Sequence, residues 1–220
     1  MQSITINTYT FDELSEAAKR TAIEWYKNTY TDDDIWHYGV YDDFIELTKT
    51  LGITIDRKGI GFSGFWSQGD GSHFTETFNN TEIMEFIEAV NADKWKEYIS
   101  GKAGELENLR KITITPRFKN LINGGNIDMT ISTRSANHYS YMVDTWEFNT
   151  VNNNNNIPLI DSVIEGIISD VVYNLHTLNN WLYRQLETAY DYAQTDEYIS
   201  EEIRANEYKF TEEGRRSFTL

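Results

Sequence analysis

Hydrophobic and polar positions change their spacing along this chain, and the changes predict its elements. In residues 3–9, Ile4 and Ile6 alternate with polar neighbours, the period of a strand. Thr10 stands three residues before Glu13, the spacing of a capping box, and an amphipathic helix is expected from there to about residue 30. Its buried stripe reads Leu14, Ala17, Ala18, Ala22, Trp25 and Tyr26. Asp32, Asp33 and Asp34 place carboxylates at the start of a second helix over residues 35–51, which buries Trp36, Val40, Phe44 and Leu47 and stops at Gly52. Ile53 to Ile55 reads as a short strand. Residues 59–78, GIGFSGFWSQGDGSHFTETF, predict a hairpin with strands at 59–66 and 72–78. Gln68, Gly69, Asp70 and Gly71 form its tight turn, because these glycines take positive φ at little steric cost.

Asn80 or Thr81 can cap a helix running to about residue 99, with Ile83, Phe86, Ile87, Val90 and Trp95 facing inward. Residues 102–110 add a short helix. From Lys111 the period becomes two, and three strands are expected: one at Ile112 and Ile114, one at Ile127, Met129 and Ile131, and one from Tyr139, Tyr141 and Val143 to Phe148. Asn123-Gly124-Gly125 and residues 135–137 serve as turns. The five asparagines at 152–156 read as a solvated loop. Pro158 then opens a long helix to about residue 192, in which Ile160, Ile164, Ile167, Val171, Leu175, Leu178, Leu182 and Leu186 recur in steps of three and four. Thr195 starts a last helix to about residue 206, and residues 208–210 form a short strand before a frayed tail. Strands grouped in the middle with helices at both ends define an α+β fold. The expectation is one domain over residues 1–220, with an antiparallel sheet of about five to seven strands packed against helices, one of them long and in the C-terminal half.

Charge narrows the functions available. The 220 residues carry a formal net charge of -16, and residues 157–220 alone hold 12 acidic against 5 basic side chains. Such a surface repels phosphates, so direct nucleic-acid binding is disfavoured and basic protein surfaces are the natural partners. Cysteine is absent, which removes disulfides, thiolate nucleophiles and Cys-ligated zinc and suits a reducing cytoplasm. The N-terminus lacks a signal-peptide pattern and no apolar run is long enough to span a bilayer, so a soluble, intracellular protein is expected.

Catalytic motifs fail one by one. Gly61-Phe62-Ser63-Gly64-Phe65 lacks the final glycine of a nucleophile elbow. Ser67, Asp70 and His73 flank one turn, whereas triad members normally come from separate elements. His37, His73, His138 and His176 form no metal-ligand spacing, and Asp32 to Asp34 lack the pattern of a calcium loop. His176 reads instead as an interfacial or hydrogen-bonded core residue of the long helix. The glycines of the hairpin precede a strand and not a helix, so they make no phosphate cradle. No enzyme activity, cofactor or metal is expected.

Two recognition surfaces remain. In the first, Phe65, Trp66, Ser67, Gln68, Asp70 and His73 form a ligand- or partner-facing loop, in which aromatics supply stacking area and the amide and carboxylate supply directed hydrogen bonds. The plainer reading buries Phe62, Phe65 and Trp66 in the core, but strand alternation cannot send both Phe65 and Trp66 to one face. In the second, Glu187, Asp191, Asp196, Glu197, Glu201 and Glu202 present carboxylates on helices, either as a solvated face or as a mimic of a phosphate backbone that occupies a nucleic-acid-binding protein.

Three stretches also carry a family resemblance: TFDELSEAAKRTAIEWY, FSGFWSQGDGSHF and YRQLETAYDYAQTDEYISEEIRANEYKFTEEGRR. Through them the chain resembles a group of small accessory proteins of bacteriophages and prophages, some labelled antitoxin-like. The resemblance implies a non-virion protein acting in the cytoplasm of an infected bacterium. Combined with the acidic surface, it leads to the expectation of a non-enzymatic host-takeover or counter-defence protein that binds and inhibits a host protein, such as a nucleic-acid-handling defence component. The alternatives are a small-molecule or nucleotide sequestering protein using the 62–73 hairpin, or an antitoxin-like neutraliser. A homo-oligomer is compatible with the surplus of aromatic surface.

Overall fold

The computed structural model describes residues 7–30, 36–98, 104–136, 142–150 and 158–217. The chain forms two compact units, one of Met1–His37 with Glu187–Leu220 and the other of Tyr38–Leu186.

In the first unit, helix α1 spans Glu16–Thr29. The expected capping box is present, with the Glu13 carboxylate accepting from the Thr10 N–H at 2.7 Å, but it closes a single 3-10 turn, Phe11–Glu13. Ser15 caps the α-helix itself and accepts from the Ala18 N–H. Ala18, Ala22, Ile23 and Tyr26 are buried, whereas Ala17 is exposed and Trp25 half-buried. They join Phe11, Leu14 and Phe210 in one core with Ile199 and Ile203. Residues 208–210 are not a strand: Phe210 makes isolated bridges to Tyr9 and Arg216. Most of the strand expected at 3–9 lies outside the described residues, as do Asp32, Asp33 and Asp34. The C-terminal turn closes against α1 at Gly214, whose φ is +81°, and an added Cβ there would stand 2.0 Å from the Ala18 carbonyl oxygen. Only glycine fits so close an approach.

The second unit begins with helix α2, Tyr38–Thr50, which buries Phe44 and Leu47 and leaves Val40 half-buried. Gly52, at φ +80°, ends it: the Ile53 N–H reaches the Thr48 carbonyl and the Gly52 N–H the Lys49 carbonyl, a Schellman cap. Ile53 and Ile55 are buried but lie in extended chain without a ladder. Strand β1, Ile60–Ser63, pairs antiparallel with β2, Gly71–Phe74. The run expected as one strand over 72–78 breaks at Thr75, and β3, Glu76–Phe78, pairs instead with β4, Ile127–Ser135. Strand β5, Met142–Thr150, completes a second sheet of order β3-β4-β5. The fold is therefore mixed α and β, with two small antiparallel sheets of two and three strands among the described residues, and no single sheet of five to seven.

Helix α3, Asn80–Asn91, has the expected cap but from Asn79, and buries Ile83, Phe86, Ile87 and Val90. It does not run on to residue 99. Asp93 takes a φ of +56°, and a separate short helix α4, Trp95–Tyr98, follows. The described part of the helix expected at 102–110 is a 3-10 segment, Gly104–Asn108. The pattern at Ile112 and Ile114 does not make a strand; it leads into helix α5, Pro116–Asn123, capped by Thr115 with proline at its first turn. Tyr139, Tyr141 and Asn152 to Asn156 lie outside the described residues. Helix α6, Pro158–Ala193, realises the long apolar stripe, with Ile164, Ile167, Val171, Leu175, Leu178, Leu182 and Leu186 all buried. Helix α7, Asp196–Ala205, is capped by Thr195 as expected.

Asparagine side chains satisfy much of the irregular backbone in this unit. Asn174 of α6, fully buried, accepts from the Arg110 N–H at 2.8 Å and donates to the Arg110 carbonyl at 2.9 Å. Asn91 does the same for Ile112, at 2.8 Å in both directions. The extended segment around Ile112 thus has its hydrogen bonds met by carboxamides, which is why alternation there yields no ladder. Replacing Asn174 with alanine strips the Arg110 N–H and carbonyl of their side-chain partner and is expected to lower the unfolding free energy by roughly 1–3 kcal/mol in chemical denaturation. Asn180→Ala, at an exposed position of the same helix, is expected to stay within about 0.5 kcal/mol of the wild type.

Candidate functional site

The β1–β2 connection is not the tight turn of Gln68 to Gly71. Gly71 already belongs to β2 and is buried, so seven residues, Gly64 to Asp70, link the strands. Asp70 organises them. Its Oδ2 accepts from the Ser67 N–H at 2.6 Å and the Trp66 N–H at 3.0 Å, and its Oδ1 accepts from the Ser63 hydroxyl at 3.5 Å. Gly64 leaves room for this carboxylate, since a Cβ there would stand 2.7 Å from Oδ2.

Helix α6 supports the loop from below. The Tyr183 hydroxyl donates to the Gly64 carbonyl at 3.1 Å, and the Phe65 ring lies 5.5 Å from the Tyr183 ring and 5.8 Å from Phe62. Four residues earlier on α6, buried Asn179 donates to the Ser72 carbonyl at 2.9 Å and accepts from the Ser72 hydroxyl at 2.9 Å. One helical turn therefore fixes both a strand and its loop. With Phe65 packed inward, Trp66 is left 73% exposed, touching Phe65 edge-on at 5.9 Å. Ser67 and Gln68 are exposed beside it. His73 is half-buried on β2 and its ring crosses Gly61, where a Cβ would meet Cε1 at 2.5 Å. The structure therefore brings Trp66, Ser67, Gln68 and Asp70 into one loop, with His73 on the strand beyond it. The Asp70 carboxylate engages main-chain amides of its own loop, an arrangement for holding a shape.

Tyr183 and Asn179 are the residues that sequence reasoning missed. They lie more than a hundred positions away from the loop, and no local pattern marks them.

All six acidic positions fall in the first unit. Asp196 pairs with Lys27 at 2.7 Å, and Glu202 accepts from the Asn206 side chain at 3.4 Å. Glu197 and Glu201, one turn apart on α7 and both exposed, stand beside Tyr192, whose phenol is pushed above its ordinary value first by the Glu201 charge, then by burial and by Glu197. Tyr192 is 46% exposed and meets Tyr198 edge-on at 5.4 Å. Glu187 is half-buried and Asp191 exposed near the end of α6. Tyr192 thus lies beside two of the six carboxylates. A shallow pocket in the same unit is lined by Phe11, Asp12, Arg204, Glu207, Tyr208 and Lys209, with Arg204 paired to Asp12 at 2.8 Å.

Elsewhere, His176 Nε2 lies 2.8 Å from Asp144 Oδ1, joining α6 to β5 as a half-buried hydrogen-bonded pair. Among the described residues no group of three or more His, Asp or Glu side chains is placed to hold a metal ion, and no helix is long and apolar enough to cross a membrane.

The fold is mixed α and β, with Trp66 exposed on the β1–β2 loop. The chain belongs to a family known as a domain of unknown function, DUF8835, whose model matches residues 36–196. No curated protein and no solved structure matches the chain. The matched stretch contains the whole second unit and the Trp66 loop, while Glu197, Glu201 and Glu202 fall outside it.

Removing the Asp70 carboxylate tests the loop. Asp70→Ala is expected to reduce stability by about 1–2 kcal/mol, because two main-chain donors lose a charged acceptor, whereas Trp66→Ala is expected to change it by no more than about 0.5 kcal/mol. Denaturant titration of both variants checks the contrast.

Proposed function

We propose that this protein acts by binding another protein, with Trp66 as its anchor, and that it serves as a bacteriophage-type host-takeover or counter-defence factor that inhibits a host protein. The observation that carries the reading is Trp66 at 73% exposure on a loop whose shape is set by Asp70, Gly64 and Tyr183. Tryptophan is enriched among residues that dominate interface energies, and a loop already in its bound shape loses little entropy on association. A large aromatic ring left mostly exposed on a held loop favours recognition over packing. The net charge of -16 disfavours nucleic acid as the direct partner and favours a basic protein surface. Tyr192, Glu197 and Glu201 supply a second, acidic and aromatic contact of the same preference. The phage-type role rests on the resemblance of the three sequence stretches.

Affinity capture from infected bacterial cells tests this directly. Wild-type protein is expected to retain a specific host protein, and Trp66→Ala to weaken its binding by about 30-fold or more, the loss typical of a central anchor. Capture undiminished by Trp66→Ala would overturn the anchor, and stabilisation of the fold by a nucleotide instead would point to the sequestering alternative.

A further inference from the structure

Strand β5 has one edge in the ladder with β4, and among the described residues no strand pairs with its other edge. It is nine residues long, in unbroken register from Ile127 opposite Thr150 to Ser135 opposite Met142. The sequence MVDTWEFNT contains no proline and no lysine, and the continuous register contains no bulge. Proline, lysine, bulges and shortness are the usual devices that keep an edge from pairing. Its inward carboxylate, Asp144, is partnered by His176. Trp146, 44% exposed, stacks with Phe148 at 6.2 Å, so the middle of the edge carries a partly uncovered aromatic pair.

We infer that β5 pairs antiparallel with β5 of a second copy of this chain, about a two-fold axis through Trp146. Facing residues in an antiparallel pair share a face and a hydrogen-bonding edge, so in a symmetric pair the axis passes through a residue and never between two. Charge then selects the residue. An axis through Asp144 sets the two Asp144 side chains opposite each other, and one through Glu147 does the same for glutamate, and like charges directly opposite are destabilising. An axis through Thr145 pairs only residues 142–148. The axis through Trp146 pairs all of 142–150, places Trp146 against Trp146 of the second copy, and sets Glu147 opposite Thr145 and Asp144 opposite Phe148. This register uses the whole strand, opposes no like charges and gives an aromatic cross-strand pair at its centre. It joins the two three-stranded sheets into one of six. The inference is independent of the Trp66 loop, which lies on another strand pair.

The test is sedimentation of the full chain over a dilution series, with two substitutions at exposed Thr145. Wild type is expected to dimerise. Thr145→Glu faces Glu147 of the second copy and is expected to weaken the dimer by roughly 2- to 30-fold, and Thr145→Lys to tighten it by a similar factor, since two cross-strand pairs change per dimer. Trp146→Cys, in a chain with no other cysteine, is expected to oxidise to a covalent dimer. A wild type that stays monomeric throughout would leave the edge to a strand of some other protein and overturn the inference. So would a dimer that both Thr145 substitutions shift in the same direction or leave unmoved, or one that Trp146→Cys fails to cross-link.

Discussion

Asparagine carboxamides carry the constraint on which the larger unit depends. A carboxamide offers one acceptor and two donors, so it can face a passing main chain as another peptide group would. Asn174 holds Arg110, Asn91 holds Ile112, Asn179 holds Ser72, and Asn80 donates to the Ile127 carbonyl while accepting from the Met129 N–H. Asn80 takes up the ladder where β3 leaves it: Phe78 pairs with Ile131, and two residues on the chain has turned into a helix whose first side chain continues down β4. Small sheets and irregular segments can then be buried without orphaned backbone groups, whose desolvation would cost more than any single contact returns.

The same constraint reaches the loop that carries Trp66. Asn179 and Tyr183 occupy successive turns of α6, one gripping Ser72 at the base of β2 and the other the Gly64 carbonyl where β1 ends. Asp70 then draws the Trp66 and Ser67 amides together from above. Side-chain packing decides the rest. Phe65 stacks between Phe62 and Tyr183, and the next residue along the chain has nowhere to point but outward. The exposure of Trp66 follows from the helix, the strand and the carboxylate acting together, and its ring is displayed at small entropic cost.

Local signals made the helices and the mixed class legible. The stripe from Ile164 to Leu186, the Thr195 cap and the Gly52 stop each work within a few residues and appear where their chemistry places them. Long-range pairing was not legible. The alternation at Ile112 and Ile114 is that of a strand, yet Ile112 bonds Asn91 and nearby Arg110 bonds Asn174, partners that nothing local identifies. Thr115-Pro116 did carry a helix-start signal, which the apolar alternation on either side obscured. The hairpin strands were found, but the turn was placed at its glycines, whereas the Asp70 carboxylate makes a longer loop the favourable one. The exposed member of the Phe65–Trp66 pair was undetermined in the sequence because Tyr183, the residue that chooses between them, comes from a helix far along the chain.

A fixed display of Trp66 is the centre of this account, and backbone ¹⁵N relaxation measures it. Amide order parameters at Trp66 and Ser67 are predicted near 0.85, like those of β1 and β2, because the Asp70 carboxylate holds both N–H groups. Values below about 0.6 at these two amides would mean that the loop is flexible and would contradict it.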